Sequence, residues 1–284
     1  MKRRLAVLTC LLAALGLWLY FSVLPYCRNV AALDENPDGF VDSMIFMFVK
    51  SRTTWLNGTI GTLQVSVLGT IIGFLLSIPL VFQRVNVPGR RDTCSLRFLK
   101  NAGCGLARLY IAVIRGTPMM VQACIVYYTG FAVARALMRG ASLTEVNQAW
   151  SFFAAGLITV SMNSAAYLAE VLRGGINSLD RGQMEACESL GFTRWQAMTK
   201  VIFPQAVRNS LPSIGNELVN NIKGTSVLTA IGFVELMFAT GTVAGFYYKY
   251  LAAYCIAAII YLILTLSLTG LLNFTMKKIG VSAE

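Results

Sequence analysis

Six apolar runs divide the 284-residue chain, at Leu5–Leu24, Ile60–Phe82, Pro118–Leu137, Ala149–Ala169, Ser213–Phe238 and Tyr250–Phe274. A helix needs roughly 20 residues to cross the hydrocarbon of a bilayer, and each run is about that long. The chain as a whole is 56% hydrophobic and 13% charged. The expected class is all-α, a polytopic helical membrane protein.

The net charge of +11 raises the question of nucleic acid. Its distribution gives another answer. With a cytoplasmic amino terminus and six spans, 17 of the 24 basic residues fall on the inner side, among them Arg3, Arg4, Arg84, Arg90, Arg91, Arg173, Arg194 and Lys277. This is the positive-inside bias of a membrane protein, and the flipped topology would reverse it. Anionic lipid is the expected contact, and no nucleic-acid partner is implied.

Arg3 and Arg4 before the first run resemble a signal peptide, but no small-x-small cleavage site follows, so an uncleaved anchor is expected. The seven cysteines form no C-x-x-C pair, and no disulfide is expected. The sequence contains no histidine, which removes the commonest general base and metal ligand and weakens an enzymatic reading. It also lacks a G-K-[ST] phosphate loop, so any ATP would be hydrolysed by another chain.

The outer segment "CRNVAALDENPDGFVDS" carries Asn-Pro-Asp-Gly turn chemistry and reads as a solvated loop. The inner segment "QRVNVPGRRDTCSLRFLKNAG" reads as a basic cytoplasmic connector. Polar stripes cross two later runs. Thr159, Asn163, Tyr167 and Glu170 follow at helical steps, as do Asn216, Asn220 and Lys223, with Glu217, Asn221 and Thr225 alongside. Such stripes usually face the bundle interior. They serve either interhelical hydrogen bonding or a pathway.

Between the fourth and fifth runs lies "MEACESLGFTRWQAMTKVIFPQA", far more polar than its neighbours. Asp180 with Gln183 fits a capping box, Gly191 a left-handed stop, and Thr193 with Gln196 a second capping box. Phe203-Pro204 should disturb the helix that follows. A helix this short needs a docking surface, and Glu185 and Glu188 disfavour anionic lipid, so a cytoplasmic protein is the better partner. The small residues Ala186, Cys187 and Ser189 would allow close approach.

These residues carry a resemblance. Glu185-Ala186-Cys187, then Gly191, then Val201-Ile202-Phe203-Pro204, is similar to the Glu-Ala-Ala signature of the permease subunits of type I ABC importers, with Cys187, Val201 and Phe203 as conservative departures. Arg115-Gly116-Thr117-Pro118, "AYLAEVLRGGI" and "GNELVNNIKGTSV" resemble further blocks of the polar amino-acid uptake branch. The resemblance implies a five-span core over residues 55–278 with a coupling loop at 180–204. Residues 1–25 would add an extra amino-terminal span, 26–54 a periplasmic loop and 279–284 a cytoplasmic tail.

The resemblance also implies partners. These are ABC ATPase subunits that bind ATP-Mg, a second permease subunit (identical or different), a periplasmic or lipid-anchored solute-binding protein, and an amino-acid substrate. No cofactor is implied for this chain itself, and the setting is the bacterial inner membrane with both termini cytoplasmic. Glu185, Ala186, Cys187, Gly191, Phe192 and Pro204 would form the ATPase-coupling element. For the substrate pathway the candidates are Asn163, Ser164, Tyr167 and Glu170. Glu170 would meet an ammonium group, unless it pairs with Arg173 at i+3. Arg115, Thr117, Pro118, Arg173 and Lys223 are candidates for gating. An ion-coupled carrier, or a permease for another small polar solute, is the alternative.

Overall fold

The structure, a computed structural model, describes residues 24–85 and 93–280. Apart from Leu24, the expected first span lies outside the described residues, as does the tail beyond Gly280. Regular structure among the described residues is helical throughout. In chain order the helices are α1 (Leu24–Ala31), α2 (Phe40–Lys50), α3 (Arg52–Val85) and α4 (Cys94–Gly116). Then come α5 (Met119–Leu137), α6 (Leu143–Ala149), α7 (Phe152–Asn177), α8 (Arg181–Ser189) and α9 (Arg194–Ala197). A π turn (Met198–Ile202) leads into α10 (Phe203–Gly224), and a 3₁₀ turn (Thr225–Ile231) ends it. The chain finishes with α11 (Leu236–Tyr247) and α12 (Tyr250–Lys278).

Among the described residues, four stretches are long and apolar enough to cross a membrane: Arg52–Val85, Met119–Leu137, Leu143–Asn177 and Tyr250–Lys278. There are five if the broken run Arg194–Ile231 with Leu236–Tyr247 counts as one. Helices suit this setting because they satisfy every backbone N–H and C=O internally. The expected span at Ser213–Phe238 is thus interrupted. Gly232, at φ +88°, turns the chain out of the helix, and α11 starts only at Leu236.

The helices form two compact units. One comprises residues 24–59 and 236–260. Here the outer segment is more ordered than a solvated loop. Asn36 to Gly39 stay outside any helix, but the apolar residues after Gly39 wind into α2, whose Phe46 and Met47 are buried. Trp55 Nε1 donates to the Met47 carbonyl at 3.4 Å, and Lys249 Nζ donates to the Pro37 carbonyl at 2.5 Å. Tyr26 donates its hydroxyl to Asp42, which holds the phenol above its usual pKa.

The other unit comprises the described residues of 60–235 together with 261–280. Its centre is α7, on which small residues line the buried side: Ala155, Gly156, Ser161, Ser164, Ala165 and Ala169. Small side chains let helix backbones approach closely where hydrophobic contrast with lipid is weak. At Gly73 of α3, a Cβ would come within 3.0 Å of the Ser161 carbonyl. Val65, Ala123, Val160, Leu228 and Phe233 make one apolar cluster, and Ile111, Ile114, Ala166 and Ala169 make a second.

That second cluster corrects the expectation of a plain connector after α3. From Thr93, whose side chain accepts from the Leu96 N–H, the chain forms the 23-residue helix α4. Its buried stripe is Ala107, Ile111 and Ile114. Arg97, Lys100, Arg108 and Arg115 dilute its hydropathy, so no apolar run marks it.

Candidate functional site: a docking corner and a polar face

Between α7 and α10 the chain makes a corner out of purely local chemistry. Asp180 caps α8, its carboxylate accepting from Gly182 N–H at 2.8 Å. Neither half of the expected capping box forms: the Asp180 carboxylate takes the Gly182 N–H in place of that of Gln183, whose N–H goes to the Asp180 carbonyl. Gly191 stands at φ +80°, in the left-handed region where glycine carries no steric penalty. Phe192 N–H reaches back to the Cys187 carbonyl and Gly191 N–H to that of Glu188, both at 3.0 Å. These paired bonds satisfy the last carbonyls of α8 as a Schellman motif does.

The second helix starts on the complete capping box of Thr193 and Gln196. Phe203-Pro204 does not break it. Phe203 N–H bonds to the Met198 carbonyl five residues back, so the missing N–H of Pro204 is absorbed in a π turn. Phe82 of α3 packs on Trp195 and Phe203, with ring centroids 5.3 and 5.0 Å away.

The corner's outer surface is mixed. Glu185, Ala186, Ser189 and Leu190 are exposed, Leu190 at 78%. Phe192 is partly exposed at 38%, and Pro204 lies open in the first turn of α10. Cys187, by contrast, is buried within the chain, so it belongs to the packing of the corner and not to its outer surface. The exposed Leu190 adds to this surface an apolar side chain that the signature residues do not include.

The second assembly is the open side of α7. Glu170 is saturated: Arg84 of α3 bonds one carboxylate oxygen, and Arg173 bonds the other through Nε at 2.9 Å and Nη2 at 2.8 Å. The i+3 pairing is therefore present, reinforced by an arginine 86 positions away. One turn before it, Tyr167 is open and Arg115 sits over its ring, 5.0 Å from the centroid. Asn163 donates to Gln122 Oε1 at 3.2 Å. Ser164 turns inward, accepting from Asn221, whose Nδ2 also reaches Thr70.

On α10 the two polar stripes part company. Asn221 and Thr225 are buried, whereas Asn216, Asn220 and Lys223 are exposed and face away from the unit's interior. Among the described residues, no group of three His, Cys, Asp or Glu side chains could hold a metal ion.

Residues 97–280 match the family described as the binding-protein-dependent transport system inner membrane component. The chain belongs to this family. It is 33% identical over 227 residues to a protein assigned as the glutamine transport system permease protein GlnP of Rickettsia typhi, covering 80% of this chain and 93% of that one. To the arginine transport system permease protein ArtQ of Bacillus subtilis it is 34% identical over 219 residues, covering 75% and 87%. The crystal structure of an amino acid ABC transporter with histidines superposes with a TM-score of 0.68 at 30% identity, covering 85% of this chain and 99% of that one. A MetNI methionine ABC transporter in an inward-facing form shares the fold at a TM-score of 0.58.

In this permease three of the remaining candidates, Arg115, Thr117 and Pro118, gather at the junction of α4 and α5. Thr117 ends α4 in an extended conformation and Pro118 caps α5. Thr117 donates its hydroxyl to the Val113 carbonyl at 2.8 Å. Gln122, which nothing in the sequence singles out, ties the junction together. Its Nε2 lies 2.7 Å from the Ile114 carbonyl, 3.0 Å from the Thr117 carbonyl and 2.9 Å from Thr117 Oγ1. Lys223 lies apart from this junction, exposed in the last turn of α10.

Proposed function

We propose that this chain is the membrane-spanning subunit of an ATP-driven importer of a polar amino acid, coupled to separate ATPase subunits through the Gly191 corner. The observation that carries the reading is the corner itself: a short capped helix, a glycine turn and an outward surface of Glu185, Ala186 and Leu190. The names of the relatives, glutamine and arginine permeases, support the substrate class.

In this reading the ATPase subunits bind ATP-Mg, and closure of their nucleotide sites moves the docked corner. The spans then change from inward-open to outward-open as rigid bodies. Glu185 is the polar anchor on the ATPase, and Ala186, Phe192 and Pro204 complete the coupling element. The chain pairs with a second permease subunit and takes cargo from a solute-binding protein. It lies in the bacterial inner membrane with both termini and the corner cytoplasmic, as the basic residues favour.

Cargo passes along the open side of α7, past Asn163 and Tyr167. Ser164 and Glu170, with their partners already taken, hold that wall in place. Arg115, Thr117, Pro118 and Arg173 shape its edge, with Lys223 at the end of α10.

Proteoliposomes holding the complex purified from native membranes, with the solute-binding protein outside and ATP inside, test this reading. Uptake of at least one labelled amino acid that needs ATP is expected. ATP-independent uptake driven by an ion gradient would support the carrier alternative instead.

A further inference from the structure

Gln122 sits where a polarised chain of hydrogen bonds crosses from α4 to α7. The Thr117 hydroxyl donates its proton to the Val113 carbonyl, which leaves its lone pairs to accept from Gln122 Nε2. The carbonyls of Ile114 and Thr117 face the same Nε2. Carbonyl oxygens only accept, so the Gln122 amide has one workable orientation, with nitrogen toward α4 and oxygen toward α7. That oxygen then takes a proton from Asn163 Nδ2 at 3.2 Å. The orientation of Asn163 follows in turn: its Oδ1 points away from Gln122.

Asn163 is half-buried, no donor among the described residues reaches its Oδ1, and that atom is not among the buried atoms lacking a partner. The oxygen is therefore not sealed inside the protein and keeps its lone pairs free. Four residues on, about one helical turn or ~6 Å along the axis, stands Tyr167 with the Arg115 guanidinium over its ring. Both oxygens of Glu170, one turn further, are occupied by arginines. The open face thus presents an acceptor at Asn163 and a cation at Arg115, and the Glu170 carboxylate beyond them is already engaged.

We propose that Gln122 is a positioning residue that fixes Asn163 as a hydrogen-bond acceptor, so that a zwitterionic cargo is read with its ammonium at Asn163 and its carboxylate toward Arg115. This rests on the reading of the α7 face as the cargo path. An amino acid carries both groups on one carbon, so a donor and an anion within one helical turn of each other match it.

The test exploits symmetry. An aspartate at position 163 offers an acceptor in either flip and has no need of an orienting partner. Beside Gln122 it would even set acceptor against acceptor. Uptake of each of the twenty labelled protein amino acids is measured in cells carrying the complete transporter, normalised to the amount of complex in the membrane. For whichever amino acid is carried, Q122L is expected to lower the maximal rate roughly tenfold, the size of one lost oriented hydrogen bond, with KM little changed because the solute-binding protein sets it. In the N163D background the same Q122L change is expected to be neutral or beneficial.

A Q122L loss of equal size in both backgrounds would show a merely structural role and overturn the proposal, as would an undiminished rate for Q122L alone. If Q122L fails to reach the membrane, Q122M, unbranched and close in volume, replaces it in both backgrounds. If wild-type cells take up no amino acid through the transporter, the proposed function itself falls, and this assignment with it.

Discussion

Glu188 and Arg194 meet across the Gly191 corner, with Arg194 Nε 3.1 Å from Glu188 Oε1. The pair closes the angle between α8 and α9, yet its side chains are 44% and 77% exposed. An exposed ion pair of this kind contributes about 0–1 kcal/mol, because water screens it and two long side chains must be held. The angle is instead set by the backbone bonds around Gly191 and by the Thr193–Gln196 box. Glu188→Gln is therefore expected to leave the thermal midpoint of the purified complex nearly unchanged. A large drop would mean that the pair, and not the backbone, sets the corner.

Gly191 itself is different. A β-branched residue at φ +80° costs about 1–2 kcal/mol of local strain. The chain escapes that cost by rotating α8 relative to α9. Gly191→Val is expected to reach the membrane in normal amounts but to lose most ATP-dependent uptake, with Gly191→Asn intermediate. Immunoblotting of membranes alongside uptake separates loss of coupling from loss of protein.

Neighbouring glycines near the end of α7 make a paired comparison. A Cβ on Gly174 would meet nothing within 4 Å, whereas one on Gly175 would collide with Ser210 Oγ and stand 2.8 Å from the Ala206 carbonyl. Gly174→Ala should be neutral or stabilising by up to about 1 kcal/mol, as alanine favours helix. Gly175→Ala should force α7 from α10 and cost about 1–3 kcal/mol, the usual range for overpacking. Unfolding midpoints of the two variants in the same detergent give the answer directly.

At Glu170 the two oxygens are engaged separately, by Arg84 and by Arg173. Glu170→Gln removes the counter-charge that the two arginines share, with Arg84 and Glu170 side chains just 17% exposed. Losing one member of a largely buried pair costs about 3–5 kcal/mol in full burial, and somewhat less here. Arg173→Gln leaves Arg84 in place and involves a side chain 38% exposed, so its effect should be smaller. Equal losses for the two substitutions would mean that Arg84 contributes little to holding the carboxylate.

The parts of this fold that were legible in the sequence are those specified locally. The Gly191 stop and the Thr193–Gln196 box depend on residues within a turn of one another, and α3, α5 and α12 announce themselves as apolar runs. Where distant residues decide, the sequence is silent. Helix α4 hides behind its four basic residues, and its buried stripe is recognisable only once Ala166 and Ala169 stand opposite. Gln122 is one amide in an apolar run until Ile114, Thr117 and Asn163 converge on it. Glu170 looked available for an ammonium because nothing in the sequence places Arg84 beside it. Cys187 read as part of a docking surface, but the fold of the corner turns it inward.

The most direct test of the whole account is affinity purification of the tagged chain from native membranes, for the wild type and for Glu185→Ala combined with Gly191→Val. The proteins retained are identified by mass spectrometry. An ABC-type ATPase is expected with the wild type and is expected to be lost from the double variant, while the second permease subunit stays bound. An ATPase retained undiminished by the double variant, or none bound to a properly folded wild type, would contradict the account.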